Sequence, residues 1–182
     1  MYRLLLLFII ISFIYSQCED GYYYLSDIDE DHIVSPTNCL LESDLNVLDS
    51  LIALNNIDLS YTGLGKQTWN DEGRLIYFVL NYGFDQDQIS KQISLLPSNF
   101  GDLNMLQALE MQYHFLTVLP ISFTQLVNLE TLSFKGNNLR LLNPDFGSLS
   151  SLVTLDVGYN EIVSLPESIY QLENLVFLWI IS

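Results

Sequence analysis

The sequence predicts an α/β solenoid, in which short strands and helical returns stack around one continuous core. The main observation is a step of 23 residues at which apolar residues, mostly leucines, recur from Leu96 to the end of the printed sequence. Within each step the apolar spacing is near three residues in one part and two in the next, which indicates a helical or 3-10 return and a short strand. The 182 residues are 49% hydrophobic, which is enough for one domain with a substantial core.

Five apolar columns are formed when the chain is divided into units 96–118, 119–141, 142–164 and a shorter 165–182. The columns contain Leu96, Leu119, Leu142 and Leu165; Phe100, Phe123, Phe146 and Ile169; Leu103, Leu126, Leu149 and Leu172; Leu106, Leu129, Leu152 and Leu175; and Leu109, Leu132, Leu155 and Leu178. Burying about seven such side chains contributes about 10 to 20 kcal/mol per unit, whereas ordering a unit costs about 35 kcal/mol. A single unit therefore cannot fold alone, and the units must stack.

Asparagines recur with the same step. Asn137 and Asn160 follow the predicted strands, where they can satisfy buried backbone groups at the turn and so form an asparagine ladder. His114 occupies the equivalent position in the first unit and can donate one such hydrogen bond.

These motifs resemble the leucine-rich repeat family of the short type, whose units read LPxxφxxLxxLxxLxLxxNxL. The resemblance covers Leu96 to the C-terminus and implies a right-handed superhelix with a curved parallel sheet inside and helical or 3-10 segments outside. Residues 43–95 resemble the N-terminal cap of plant-type extracellular members of the family. The chain lacks the Cys pair that usually follows the Trp of such a cap.

The predicted cap begins with an amphipathic helix that has Ser43 as its N-cap candidate and ends near Asn55 and Asn56. Turn residues around Trp69 follow, and the segment "RLIYFVL" then reads as a first buried strand.

Residues 1–16 have the layout of a signal peptide. Arg3 is followed by an unbroken apolar run, and cleavage is predicted after Ser16. The apolar segment is shorter than the roughly 20 residues that span a bilayer, which argues against an uncleaved anchor. We therefore predict a secreted or cell-surface protein, with an intracellular leucine-rich repeat scaffold as the alternative if the signal is misread.

The acidic segment 17–42 contains Cys18, and its second cysteine is Cys39. Export into an oxidising compartment predicts a disulfide bond between them. The rival zinc site lacks ligands, since His32 and His114 have no ligand spacing with the cysteines.

The same segment contains aspartates in the alternating pattern of a calcium loop, at Asp27, Asp29 and Asp31. The glycine and glutamate that such a loop requires are replaced by His32 and Asn38, so we predict a solvated acidic face and no metal site.

The charge balance excludes several partners. The chain has 22 acidic and six basic residues, which gives a net charge of −16. Such a charge repels a phosphate backbone or an anionic membrane surface. We predict a protein or peptide ligand, no nucleic acid and no cofactor, and membrane attachment only through a further C-terminal anchor.

The residues between the leucines of each strand point away from the core, onto the concave face that the resemblance implies. We predict ligand binding there, anchored by exposed aromatic side chains. The candidate residues are Glu110, Gln112, Tyr113, Ser133, Lys135, Thr154, Asp156, Tyr159 and Trp179.

An alternative is a glycan-directed hydrolase that uses Glu110 and Asp156 as an inverting pair, about 10 Å apart by strand spacing. The sequence contains no nucleophile elbow, phosphate loop, metal cluster or His-centred triad, so we predict that the protein is not an enzyme and name no catalytic residue.

The C-terminus suggests a fragment of a longer, receptor-like or signalling protein. One step after Asn160 is position 183, just beyond the printed sequence, and the final strand "VFLWIIS" is apolar without a polar capping unit. Such an edge predicts self-association through Phe177 to Ile181.

Overall fold

The computed structural model describes residues 18–26, 32–83 and 92–181. The predicted signal peptide and the aspartates Asp27, Asp29 and Asp31 lie outside these residues. In the described ranges, no helix combines the length and the apolar character needed to cross a bilayer.

The described ranges contain the following strands and helices. The strands are β1 Tyr22–Tyr24, β2 Ile33–Val34, β3 Cys39–Leu41, β4 Lys66–Trp69, β5 Leu75–Val79, β6 Ala108–Glu110, β7 Thr131–Ser133, β8 Thr154–Asp156 and β9 Phe177–Trp179. The α-helix α1 is Glu42–Asn55, and 3-10 helices span Tyr61–Gly63, Phe100–Asp102, Ile121–Gln125, Phe146–Ser148 and Glu167–Gln171.

The main sheet has the order β2-β4-β5-β6-β7-β8-β9, and it is parallel from β5 onward. In neighbouring strands Leu109 pairs with Leu132, Leu132 with Leu155, and Leu155 with Leu178. Each partner lies one sequence step further along the chain, and a 3-10 helix lies between consecutive strands. The predicted α/β solenoid with 3-10 returns is therefore confirmed.

The core lies between this sheet and the 3-10 returns. Phenylalanines pack inside it, with 5.9 Å between the ring centroids of Phe100 and Phe123 of successive units and 5.5 Å between those of Phe123 and Phe134 of one unit. Burial declines along the stack, since Leu132 is fully buried whereas Leu178 is 40% exposed. The last described unit is therefore the most exposed part of the stack.

Helix α1 begins one residue before the predicted N-cap. Its N-cap is Leu41, which forms no side-chain cap, and the Ser43 hydroxyl lies 3.3 Å from the Asp44 carboxylate. The physical reason is that Leu41 is held extended in β3, where its N–H donates to the Gly73 carbonyl. The helix therefore continues directly from a strand. At its other end Asn56 adopts a left-handed C-cap conformation.

The predicted first strand is β5, and a strand that the sequence reading missed precedes it. Strand β4 occupies the segment read as turn residues and pairs antiparallel with β5. A tight turn joins the two strands, in which the Gly73 N–H donates to the Asn70 carbonyl and Gly73 has a φ of +67°. This left-handed conformation suits glycine, so a hairpin forms where a longer turn was expected.

A buried ion pair connects α1 to the sheet and to the first repeat. The Asp44 carboxylate is fully buried and accepts hydrogen bonds from Arg74 Nε at 3.1 and 3.2 Å and from the Leu75 N–H at 2.9 Å. Arg74 also donates from Nη2 to the Asn104 side chain at 2.8 Å. One guanidinium group therefore joins three parts of the chain.

Cys18 and Cys39 form a disulfide bond, with 5.6 Å between their Cα atoms, and this prediction is confirmed. The bond ties the segment before β1 to β3. Strands β1 and β3 also pair with each other in antiparallel orientation.

Candidate recognition surface

The sheet register arranges the outward side chains of the strands in two rows. One row contains Ala108, Thr131, Thr154 and Phe177, and the other contains Glu110, Ser133, Asp156 and Trp179. Both rows lie on the sheet face opposite the core, which we call the concave face. Strand β5 extends the rows, because Tyr77 pairs with Ala108 and Val79 pairs with Glu110.

Glu110 is held by three neighbouring side chains. Its carboxylate accepts hydrogen bonds from the Tyr77 hydroxyl at 3.4 Å, from Asn81 Nδ2 at 3.3 Å and from Gln112 Nε2 at 3.4 Å. Burial, and after it the Glu110 carboxylate, raise the pKa of the Tyr77 hydroxyl, so this group remains a donor. The sequence reading missed Tyr77 and Asn81 because they precede the regular repeat.

Ser133 and Asp156 continue the row that Glu110 begins. Ser133 is 7% exposed, and within the described ranges its Oγ is a buried hydroxyl without a hydrogen-bond partner. Asp156 is half-buried, and its Oδ1 accepts a hydrogen bond from the Gly158 N–H at 2.9 Å. The row thus places an unpaired hydroxyl between two oriented carboxylates.

Aromatic residues with an unusual backbone follow the strands. Tyr113 and Tyr159 have φ values of +61° and +54°, and Gly136, at the same place in the intervening unit, has +70°. A Cβ atom on Gly136 would lie 2.6 Å from Cδ1 of Tyr113, so the Tyr113 ring rests against this glycine. Tyr159 is 59% exposed, and Lys135 Nζ lies 5.4 Å from its ring centroid in a cation–π arrangement.

Trp179 ends the row of Ser133 and Asp156. Its ring stacks on that of Phe177, with a centroid distance of 5.6 Å and an interplanar angle of 10°. Both rings are about half exposed. Thr154 lies in the neighbouring row next to Phe177. Of the predicted binding residues, those on the strands share one sheet face, namely Glu110, Ser133, Thr154, Asp156 and Trp179. The others follow the strands, namely Gln112, Tyr113, Lys135 and Tyr159.

The asparagines lie beneath the turns that follow the strands. Asn137 accepts from the Leu116 N–H at 3.1 Å and donates to the carbonyls of Met111 and Phe134 at 2.8 and 2.9 Å. Asn160 repeats this geometry, accepting from the Leu139 N–H at 2.9 Å. Each side chain thus joins its own unit to the preceding one.

His114 takes the same position in the first unit and makes more hydrogen bonds than the single one expected. Its Nδ1 accepts from the Ile93 N–H at 3.1 Å, so Nε2 carries the proton that it donates to the Leu80 carbonyl at 2.6 Å. Burial of the ring, only partly offset by the Leu80 carbonyl, lowers its pKa to about 4. The imidazole is therefore a neutral structural group.

A second surface feature lies at the turns that lead into the 3-10 helices. A groove of about 680 Å³ is bordered there by Val118, Ile121, Leu141, Pro144 and Pro166. Ile121 is 82% and Leu141 62% exposed. The sequence reading missed this apolar groove, although exposed apolar residues at Val118 and Leu141 repeat with the step of the leucine columns.

Solved structures resemble this fold. A leucine-rich repeat protein of Leptospira interrogans is 28% identical over 64% of the chain, with a TM-score of 0.50, and the match spans 38% of that protein. A plant ice-binding protein is 23% identical over 76% of the chain and 48% of its own, with a TM-score of 0.58. The leucine-rich repeat ectodomain of the receptor kinase SOBIR1 from Arabidopsis thaliana is 18% identical over 78% of the chain and 93% of its own, with a TM-score of 0.55. No protein-family model matches the sequence, and no curated protein does either.

The parallel sheet, the 3-10 returns and the asparagines beneath the turns define a repeat solenoid. Its unit sequence and these structural neighbours show that the chain has the leucine-rich repeat fold. Proteins of this fold are typically recognition modules.

Proposed function

We propose that this chain is an extracellular recognition module that binds a protein or peptide ligand through its concave face. The observation that supports the proposal best is the combination of Tyr159, exposed and in contact with Lys135, with the row that leads from Glu110 to Trp179. Aromatic and charged side chains presented by a rigid sheet are the usual anchors of protein recognition, because little side-chain entropy is lost on binding.

An extracellular location is supported by the Cys18–Cys39 disulfide bond, since such bonds persist mainly in oxidising compartments. The likeness to an ectodomain agrees with it. An intracellular scaffold is the alternative. Mass spectrometry without reductant of the chain isolated from its native cells and their medium distinguishes the two, because a bridged chain lacks two hydrogen atoms of the reduced form.

The proposed role is binding without catalysis. Glu110 and Asp156, the pair that a glycan hydrolase would need, are separated by the whole of β7, and each carboxylate is already oriented by neighbouring donors. A screen of the secreted chain against glycan substrates tests this assignment. Turnover that disappears in both Glu110→Gln and Asp156→Asn would replace the binding proposal with an enzymatic one.

The binding test screens the secreted chain against an array of secreted and cell-surface proteins and measures the strongest interaction by biolayer interferometry. We expect the double variant Tyr159→Ala and Lys135→Glu to abolish this interaction without changing the circular dichroism spectrum. Leu141→Glu, placed in the exposed groove at the turns, is the matched control and should bind normally. Normal binding by the double variant, together with loss of binding by Leu141→Glu, would place the ligand in the groove and contradict the proposal.

A further inference from the structure

We infer that the row Glu110–Ser133–Asp156 is a subsite for a primary ammonium group, the lysine side chain of a protein or peptide ligand. The inference rests on the proposed function and adds the chemical group that the concave face recognises. We call these residues the acidic row.

The spacing of the acidic row fits an ammonium group. Glu110, Ser133 and Asp156 are direct partners across adjacent parallel strands, which lie about 4.8 Å apart. Two acceptors at hydrogen-bond distance from one tetrahedral nitrogen are separated by about 4.7 Å. An ammonium group can therefore donate to the Ser133 hydroxyl and to a carboxylate beside it at the same time.

The Ser133 hydroxyl is the observation that points to a ligand. Ser133 is 7% exposed, and among the described residues its Oγ has no hydrogen-bond partner. Buried polar groups are normally paired, so an unpaired one between two carboxylates calls for a functional explanation.

The two carboxylates are already oriented for this role. Glu110 accepts hydrogen bonds from Tyr77, Asn81 and Gln112, and Asp156 accepts one from the Gly158 N–H. These bonds fix the direction of each carboxylate before a ligand arrives, which lowers the entropic cost of binding.

The two carboxylates of the row carry negative charge that a cationic ligand can neutralise. The ion pairs Asp44–Arg74 and Arg140–Glu161 do not involve the acidic row. Lys135, in the turn that follows β7, instead directs its Nζ to the ring of Tyr159. The chain as a whole carries a net charge of −16, which attracts a basic partner.

A calcium ion fits the row less well than an ammonium group. Calcium binds six to eight oxygens at about 2.4 Å, whereas the strands that carry the two carboxylates are about 10 Å apart. One ion would reach a single carboxylate and the serine hydroxyl, which leaves most of its coordination unmet. An ammonium group needs only three acceptors.

The test uses n-butylammonium chloride as a mimic of the lysine side chain, titrated into the isotope-labelled secreted chain. We expect saturable shifts of the backbone amide resonances of Glu110, Ser133 and Asp156. Tetramethylammonium chloride at equal concentration is the control, because it has the same charge but no N–H donor. Equal responses to the two cations would overturn the inference, as would a stronger response to calcium chloride.

Variants assign the response to the acidic row. We expect Ser133→Ala and Asp156→Asn each to weaken n-butylammonium binding about tenfold, the effect of losing one charge-assisted hydrogen bond. Glu173→Gln removes the same charge at an exposed position before β9 and should leave the affinity unchanged. Equal affinities in the row variants and in this control would contradict the subsite. The comparison of the two cations needs no variant and therefore does not depend on variant folding.

Failure of this inference is distinguishable from failure of the proposed function. If n-butylammonium does not bind the row, while the Tyr159 and Lys135 double variant still loses its protein partner, the lysine subsite is wrong and concave recognition stands. If the ammonium binds the row but the double variant binds its partner normally, the lysine subsite stands and the proposed anchors Tyr159 and Lys135 are wrong.

Discussion

His114 provides a prediction whose sign and size follow from the structure. In the folded chain the imidazole is 1% exposed, its Nδ1 accepts from the Ile93 N–H, and its pKa is lowered to about 4. In the unfolded chain its pKa returns to about 6.5. Between these values the unfolded state binds more protons than the folded state, so the free energy of unfolding rises with pH. The contribution of His114 is complete above the unfolded pKa and is lost as the pH falls toward the folded pKa.

The difference of roughly 2.5 pKa units corresponds to about 3 kcal/mol, of which about 2.5 kcal/mol is lost between about pH 7.5 and pH 4.5. With a urea m-value of about 2 kcal/mol/M, this loss lowers the urea midpoint by about 1 M. Carboxylates also titrate in this range, so the wild-type curve alone does not isolate the histidine.

The assay is urea unfolding followed by circular dichroism at several pH values, with His114→Asn as the matched variant. Asparagine is the residue at the equivalent positions Asn137 and Asn160, and it does not titrate. We expect the wild type to lose about 2.5 kcal/mol more than the variant on acidification to about pH 4.5. Parallel pH dependences for the two proteins would show that His114 is not buried as a neutral group and would refute the reasoning.

Further predictions concern the core, the cap and the C-terminal edge. Leu132→Asp places a carboxylate at a fully buried position and should unfold the solenoid; a secreted, protease-resistant variant would argue against the register. Asp44→Ala leaves Arg74 partly buried and unpaired, which should lower the free energy of unfolding by about 3 to 5 kcal/mol in urea titrations. A loss below about 1 kcal/mol would show that the pair behaves as an exposed one. A polypeptide of the printed sequence should self-associate through the exposed residues Phe177 to Ile181. Light scattering that finds a monodisperse monomer at micromolar concentration would contradict this.

The regular part of the fold was predictable from the sequence for a simple physical reason. One unit cannot bury enough apolar surface to fold, so each unit must present its leucines at the same place to the next one. The spacing that aligns Leu109 with Leu132 and Leu155 in the sequence is therefore the spacing that pairs them in the sheet. The same period places Glu110, Ser133 and Asp156 in one row.

The parts that the sequence reading missed depend on contacts between segments far apart in the chain. Helix α1 starts without a serine cap because the Leu41 N–H bonds to the Gly73 carbonyl, a partner more than thirty residues away. The segment around Trp69 becomes a strand because Gly73 closes a tight turn against β5. Neither event leaves a local pattern of the kind that periodicity reports.

The sequence by itself determined the repeat, the disulfide partners and the face on which the variable residues lie, because each follows from a regular step or from a chemical necessity. Only the tertiary structure decided that Tyr77 and Asn81 hold Glu110, that the Ser133 hydroxyl lacks a partner, and that His114 is bonded at both ring nitrogens. Side-chain hydrogen bonds depend on distances and angles within a few tenths of an ångström. A linear pattern places residues in rows, and the packed chain sets those distances.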